Sequence, residues 1–373
     1  MTPTILRFAA TSLFVFVSGL LASAGAHEIR PAIADLYLEQ GELRLEIRLN
    51  LEAIVADIEP GLANTTESVN AARYEALRAM PPEDLLAAFD KAAFANSIFA
   101  VLDGTPLPIE VVETSAGPVG DIALLRDSSV TLRADLPASG GLTVGWDAGF
   151  GPLVLRLMNE GSDYSVYLEP GMTTDMLPVD GAIQQSFGEV FLGYISVGFK
   201  HILPLGIDHV LFVIGLFLLS TRFSPLLWQI SAFTVAHTIT LALGLFGVVQ
   251  VSAAIVEPLI ALSIAYVAIE NVIFSKLTRW RPALIFGFGL LHGLGFAGVL
   301  QEFGLSEGNE VAGLLGFNVG VEIGQITVVA LCFLAVGIWF GRKPWYRAAI
   351  TIPASLAIAI MGLYWFVERT FLA

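Results

Sequence analysis

Four of this chain's five histidines, His201, His209, His237 and His292, fall in a strongly apolar C-terminal half where charged side chains are scarce. Asp208 adjoins His209, and Glu257 and Glu270 lie in a later apolar run. Asn318, Glu322 and Gln325 recur at i, i+4 and i+7, which places them on one helical face. Ionisable groups at membrane depth are costly and by default mark an ion path or a relay. Imidazoles joined by one or two carboxylates suit divalent nickel, cobalt, copper or zinc, and match magnesium or calcium poorly. The lone cysteine, Cys332, excludes an internal disulfide and a thiolate metal cluster. Taken singly, each polar residue has a plainer role: His237 as a helix–helix hydrogen bond, Glu257 and Glu270 as interfacial charges, the glycines around His292 as packing sites. Taken together, His201, Asp208, His209, His237, His292, Asn318 and Glu322 are expected to line one metal-binding cavity. Glu257, Glu270 and His27 are secondary candidates.

The elements that must hold these residues follow from hydropathy. The 373 residues are 55% hydrophobic and 14% charged, with a mean hydropathy of +0.74. Such a composition implies several membrane spans and one water-exposed part. Residues 1–26 read as a signal peptide: Arg7, an apolar core over Phe8–Leu21, and Ala24-Gly25-Ala26 as a cleavage site. Cleavage there makes His27 the mature terminus, whose amine and imidazole together can chelate a cation. Residues 27–186 are expected to form a β-sandwich-like extracytoplasmic domain with a helical insertion. Ile33–Glu39 and Leu43–Leu51 alternate around Gln40-Gly41 as a hairpin. Ser68–Met80 and Pro82–Ala95 read as helices. Short strands follow at Ile98–Leu102, Pro108–Glu113, Ser129–Ala134, Leu142–Trp146, Leu153–Leu157 and Tyr164–Leu168. Glu169–Gln185, rich in Gly, Pro and Asp, reads as a linker. Between His27 and Phe187 stand 25 acidic and nine basic residues, a balance of −16, which repels nucleic acid and anionic lipid and serves either simple solubility, the plainer reading, or weak gathering of cations.

Residues 187–373 are expected to be an all-α polytopic bundle of about six helices. An amphipathic lead-in, 188–203, precedes spans near 207–221, 225–247, 253–274, 282–302, 311–341 and 348–367. Pro204 and Gly206 interrupt the first, and interrupted helices free backbone carbonyls at transporter ion sites. Arg222, the cluster Lys276/Arg279/Arg281 and the group Arg342/Lys343/Arg347 fall in alternate loops. Basic loops face the cytoplasm, so the first domain and the C-terminus are expected outside a bacterial inner membrane.

His201 followed by Gly206-Ile-Asp208-His209, the later His292-Gly293-Leu-Gly295-Phe, and Asn318-x-Gly320-x-Glu322 resemble the HupE/UreJ family of membrane proteins. The resemblance spans about 188–368, and the domain beginning His27-Glu-Ile-Arg-Pro looks like that family's longer branch. It implies nickel or cobalt permeation, with His201, Asp208, His209 and His292 as the residues that handle metal and Glu322 as the later glutamate. Three functions then compete. A permease would pass a divalent transition-metal ion through the bilayer, without a nucleotide motif and so passively, down a gradient or with a partner. An accessory protein would dock a periplasmic metalloprotein or metal chaperone on its acidic domain. An intramembrane zinc-dependent hydrolase would use three histidines and an aspartate to activate water, assisted by Ser231, Ser263 or Glu322, although no HExxH motif is present.

Overall fold

The alternation that begins at Ile33 has a simple consequence: one face of each strand is buried and the other is solvated. β1 (Ala32–Glu39) and β2 (Glu42–Arg48) pair antiparallel, Ile33 opposite Arg48, around Gly41 at φ +82°. The computed structural model describes residues 31–371 apart from 40, 61, 63, 64, 66, 67, 121–124, 181 and 304–308, and apart from the side chains of 297–303. The signal peptide, its cleavage site and His27 lie outside the described residues.

After the hairpin come four short helices and eight more strands. The helices are α1 (Leu51–Ala56), α2 (Ala71–Arg78), α3 (Pro82–Ala88) and α4 (Lys91–Asn96). The strands are β3 (Ile98–Leu102), β4 (Thr105–Pro106), β5 (Glu110–Ala116), β6 (Ser128–Asp135), β7 (Gly141–Trp146), β8 (Leu153–Leu157), β9 (Tyr164–Leu168) and β10 (Leu177–Pro178). A six-stranded sheet has the order β5-β6-β2-β1-β8-β9, and a four-stranded sheet the order β10-β7-β3-β4. One apolar core draws on both sheets, through Leu36, Leu45, Leu132 and Leu155 of the first and Ala100, Leu142 and Val144 of the second. Tyr74, Leu85 and Phe94 of the helices join it. This is the mainly-β region that the strand pattern implied.

The local differences from expectation have local causes. β2 stops at Arg48 because the Asn50 side chain accepts a hydrogen bond from the Ala53 amide (3.1 Å) and starts α1 there. The helix expected over 82–95 is divided because Asp90 caps α4, accepting from the Ala93 amide (2.9 Å). The expected linker contains β10, which pairs with β7 at Leu142 and Gly141. Buried Arg126 ties the insertion to the strands, bonding Glu52 (2.9 Å) and the carbonyls of Arg78 and Met80 (2.7 and 2.9 Å).

The chain divides into two compact units, one formed by 25–189 with 302–310, the other by 190–301 with 311–373. The second is helical. α5 (Phe187–Ile202) is followed by α6 (Ile207–Leu219), bent 74° from it. Then come α7 (Phe223–Leu245), α8 (Ala253–Ile273), α9 (Arg281–Phe303), α10 (Glu310–Phe340) and α11 (Arg347–Phe371). Four of these, α7, α8, α10 and α11, are long and apolar enough to cross a membrane, and the bent pair makes a fifth. α9 runs for 23 residues, but the side chains of 297–303 lie outside the described residues and it is not in that count, so four to five of the expected six spans stand among the described residues.

Glycines decide how closely these helices approach. A Cβ at Gly316 or Gly320 of α10 would strike the backbone of Phe191 or Ile195 on α5, and one at Gly198 would strike Phe317. On α9, Gly289 and Gly293 abut the backbones of Phe233 and His237 on α7 in the same way. Small residues at four-residue spacing allow such backbone contact between helices in lipid. At the other end of α8, buried Arg281 bonds Glu270 (2.5 Å), Gln229 (2.9 Å) and Asn271 (3.2 Å). Arg347 satisfies the last carbonyls of α8, those of Asn271, Val272 and Phe274.

Candidate metal centre

His201 closes α5 and His209 stands in the first turn of α6. In an unbroken helix eight residues would separate them by about 12 Å along the axis. The 74° bend at Pro204 and Gly206 brings their ring centroids to 4.8 Å. His237, on α7, completes a triangle, 6.2 Å from His201 and 6.1 Å from His209 between centroids. One ring nitrogen from each of the three lies within 4.8 Å of the others. Around them is aromatic carbon: Phe296 and Phe317 against His201 (4.2 and 5.3 Å), and Phe233 against His209 and His237 (5.9 and 6.1 Å). Three imidazoles meet among aromatic side chains.

The hydrogen bonds show which nitrogens are free. Asn318 Nδ2 donates to the Leu314 carbonyl (2.8 Å), so its Oδ1 faces His237 Nδ1 at 3.1 Å and accepts from it. The proton of His237 is thereby placed on Nδ1, and Nε2 keeps a bare lone pair. That Nε2 is buried without a hydrogen-bond partner among the described residues, and so is Nε2 of His201. A buried nitrogen left unsatisfied costs free energy on the order of 1–3 kcal/mol, which a ligand bound there would recover. An outer-shell amide that fixes the tautomer of an imidazole is the usual support of a metal-binding histidine.

His292 enters from α9. Ser263 Oγ donates to the Ile260 carbonyl (2.7 Å) and so accepts from His292 Nε2 at 3.2 Å. His292 Nδ1 is then the acceptor, and His209 Nε2 donates to it at 3.4 Å. The Ser263 proton is committed to a backbone carbonyl, which is not the arrangement of a nucleophile and its base.

The donor set fits a transition-metal ion. Metal–nitrogen bonds of about 2.0–2.1 Å in a tetrahedron put neighbouring nitrogens about 3.3 Å apart. The His201, His209 and His237 nitrogens, within 4.8 Å of one another, need to close by up to about 1.5 Å, within the reach of a rotamer adjustment.

The carboxylates expected at this cavity are engaged elsewhere. Asp208 forms a two-pronged ion pair with Arg369, at 2.8 and 3.3 Å. Glu270 belongs to the Arg281 network. Glu257 is exposed, and its backbone carbonyl accepts from Arg369 (3.4 Å). Glu322, half-buried, accepts from the Ser231 hydroxyl (2.7 Å), and Gln325 accepts from Thr234 (3.2 Å). The structure therefore brings together His201, His209, His237, His292 and Asn318, and sets Asp208, Glu257, Glu270 and Glu322 against other partners.

Residues 179–369 match a family model described as HupE / UreJ protein, just over half of the chain. The chain belongs to the HupE/UreJ family. No curated protein and no solved structure matches it. The HupE/UreJ match spans the whole constellation, from His201 to Arg369. Arg369 and the phenylalanine walls were not singled out from the sequence. Arg369 did carry a signal, since it is a basic residue at the end of the last span where the loop pattern assigns the outer side. The phenylalanines carried none, because 25 of them are spread along the chain.

Proposed function

We propose that this HupE/UreJ protein is a permease for a divalent transition-metal ion of the nickel and cobalt class, in a bacterial inner membrane. One observation carries the reading: imidazoles on α5, α6 and α7 converge, two of them with buried nitrogens that have no partner among the described residues. The ion is the cargo. His201, His209 and His237 receive it, with His292 as a fourth nitrogen and Asn318 holding the tautomer of His237. Borderline nitrogen donors favour nickel, cobalt, copper or zinc over the more abundant magnesium and calcium, which prefer oxygen.

From there the polar residues of α7 and α10 lead away from the imidazoles. The Ser231–Glu322 and Thr234–Gln325 pairs lie three to seven residues along from His237 or Asn318, about 4–10 Å of helix rise. With the basic loops inside, that direction is inward. In this reading α9 completes a six-span bundle, and the 27–186 domain and the C-terminus lie outside. The acidic outer domain would collect cations or receive them from a periplasmic metalloprotein.

Cellular nickel and cobalt accumulation tests this, read together with binding to the purified protein. His209→Ala and His237→Ala are expected to abolish saturable uptake and to weaken binding at least a hundredfold. Uptake by both variants equal to wild type would end the permease reading and favour the accessory one.

A further inference from the structure

The imidazole pocket has an ionic neighbour with an apparent conflict. Asp208 directly precedes His209 and is the nearest carboxylate to the imidazoles in sequence, yet both its oxygens are held by the Arg369 guanidinium. The pair is only partly covered, with the side chains 22% and 23% exposed. Arg369 is otherwise lightly held. It contacts the Glu257 carbonyl at 3.4 Å and lies over the Trp365 ring at 5.3 Å, while Asp208, Glu257 and Glu368 are the acidic groups that face it.

Charge arithmetic makes this pairing a problem for a doubly charged cargo. A divalent ion among uncharged imidazoles brings two positive charges into a low-dielectric pocket, and Asp208 cannot offset them while Arg369 neutralises it. A released Asp208 would reduce that excess by one charge. A displaced guanidinium would still find Glu257 and Glu368 nearby.

We propose that Arg369 is a resident counter-cation that competes with the incoming metal ion for Asp208, so that the ion pair must open for the imidazole site to fill. Arg369 is thus a positioning residue that sets affinity, and it limits how tightly the cargo is held. This deepens the permease reading and rests on it. The barrier is electrostatic and specific to charge: a monovalent ion gains half as much from Asp208 as a divalent one. The pair therefore also discriminates by valence.

Titration calorimetry of the purified full-length protein with nickel(II) and with cobalt(II) tests the proposal. Arg369→Gln is expected to bind about tenfold more tightly than wild type, the scale of one partly screened charge pair. Arg369→Lys, which keeps the charge and loses the planar fork, is expected to tighten binding about threefold. If Arg369→Gln fails to fold, the lysine variant decides alone. Asp208→Asn with Arg369→Gln is expected to bind no more tightly than Asp208→Asn. A purely structural role for Arg369 predicts the opposite sign, weaker binding in both arginine variants. Weaker or unchanged binding in folded Arg369→Lys and Arg369→Gln overturns the proposal. If His237→Ala still abolishes binding in that event, the imidazole site stands and only the role of Arg369 falls. If folded wild-type protein binds neither metal, both fall.

Discussion

At the scale of single residues, a histidine in a membrane helix is either a hydrogen-bonding partner or a ligand, and here the distinction rests on one amide. Asn318 donates to Leu314 and accepts from His237, which leaves His237 Nε2 bare and turned to its neighbours. Asn318→Leu should keep the bulk of the side chain while releasing the tautomer. The expected result is metal affinity lower by ten- to a hundredfold, the range found when outer-shell partners are removed. Stability should fall by about 1–3 kcal/mol, because His237 Nδ1 then becomes a second unsatisfied atom on that ring. Calorimetry and thermal unfolding of the same sample give both numbers. An affinity equal to wild type would mean that Asn318 serves only to pack α10 against α7.

At the scale of elements, the site is made by a bend and by glycines. The break between α5 and α6 turns an eight-residue separation into facing rings, while glycines of α9 abut the α7 backbone and glycines of α10 abut that of α5. Gly320 of α10 faces the Ile195 carbonyl and the Phe199 amide of α5 with no room for a side chain. Gly320→Val is expected to push α10 from α5 and cost about 2–3 kcal/mol, in the range seen for overpacked interiors. Because Asn318 rides on α10 and His201 on α5, metal binding should weaken with it. Thermal unfolding with and without nickel(II) checks both effects. An unchanged melting temperature would show that the two helices can part without strain.

At the scale of the whole molecule, the negative charge is concentrated between His27 and Phe187, while the rest of the chain is close to neutral. If that region collects cations for the bundle, its effect is long-range and screened by salt, with a Debye length of about 10 Å at 0.1 M. Raising ionic strength from about 0.02 to 0.2 M should therefore raise the apparent KM for nickel uptake several-fold and leave the maximal rate unchanged. A salt-independent KM would assign the acidity to solubility alone. Much of this organisation was legible beforehand. Period-two alternation marked β1 and β2, which each bury one face, and apolar runs set between Gly, Pro, Asp and Ser marked β3 and β6 to β9. Helix α1 and the division at Asp90 were not legible, since an Asn or Asp reads equally as turn or cap until its side chain finds an amide. The polar residues of the bundle were legible as a set, because a charge or imidazole in an apolar run is conspicuous wherever it points. Chain order alone therefore determined that His201, His209, His237 and His292 needed a common purpose or four private partners. Only the tertiary structure decided which polar groups share a pocket. It united the imidazoles with Asn318, and it paired Asp208 with Arg369, Glu270 with Arg281 and Glu322 with Ser231. The reason is physical: a side chain's partner depends on helix bends and close backbone approach, and most of these pairings span 81 to 161 residues, which no local spacing encodes.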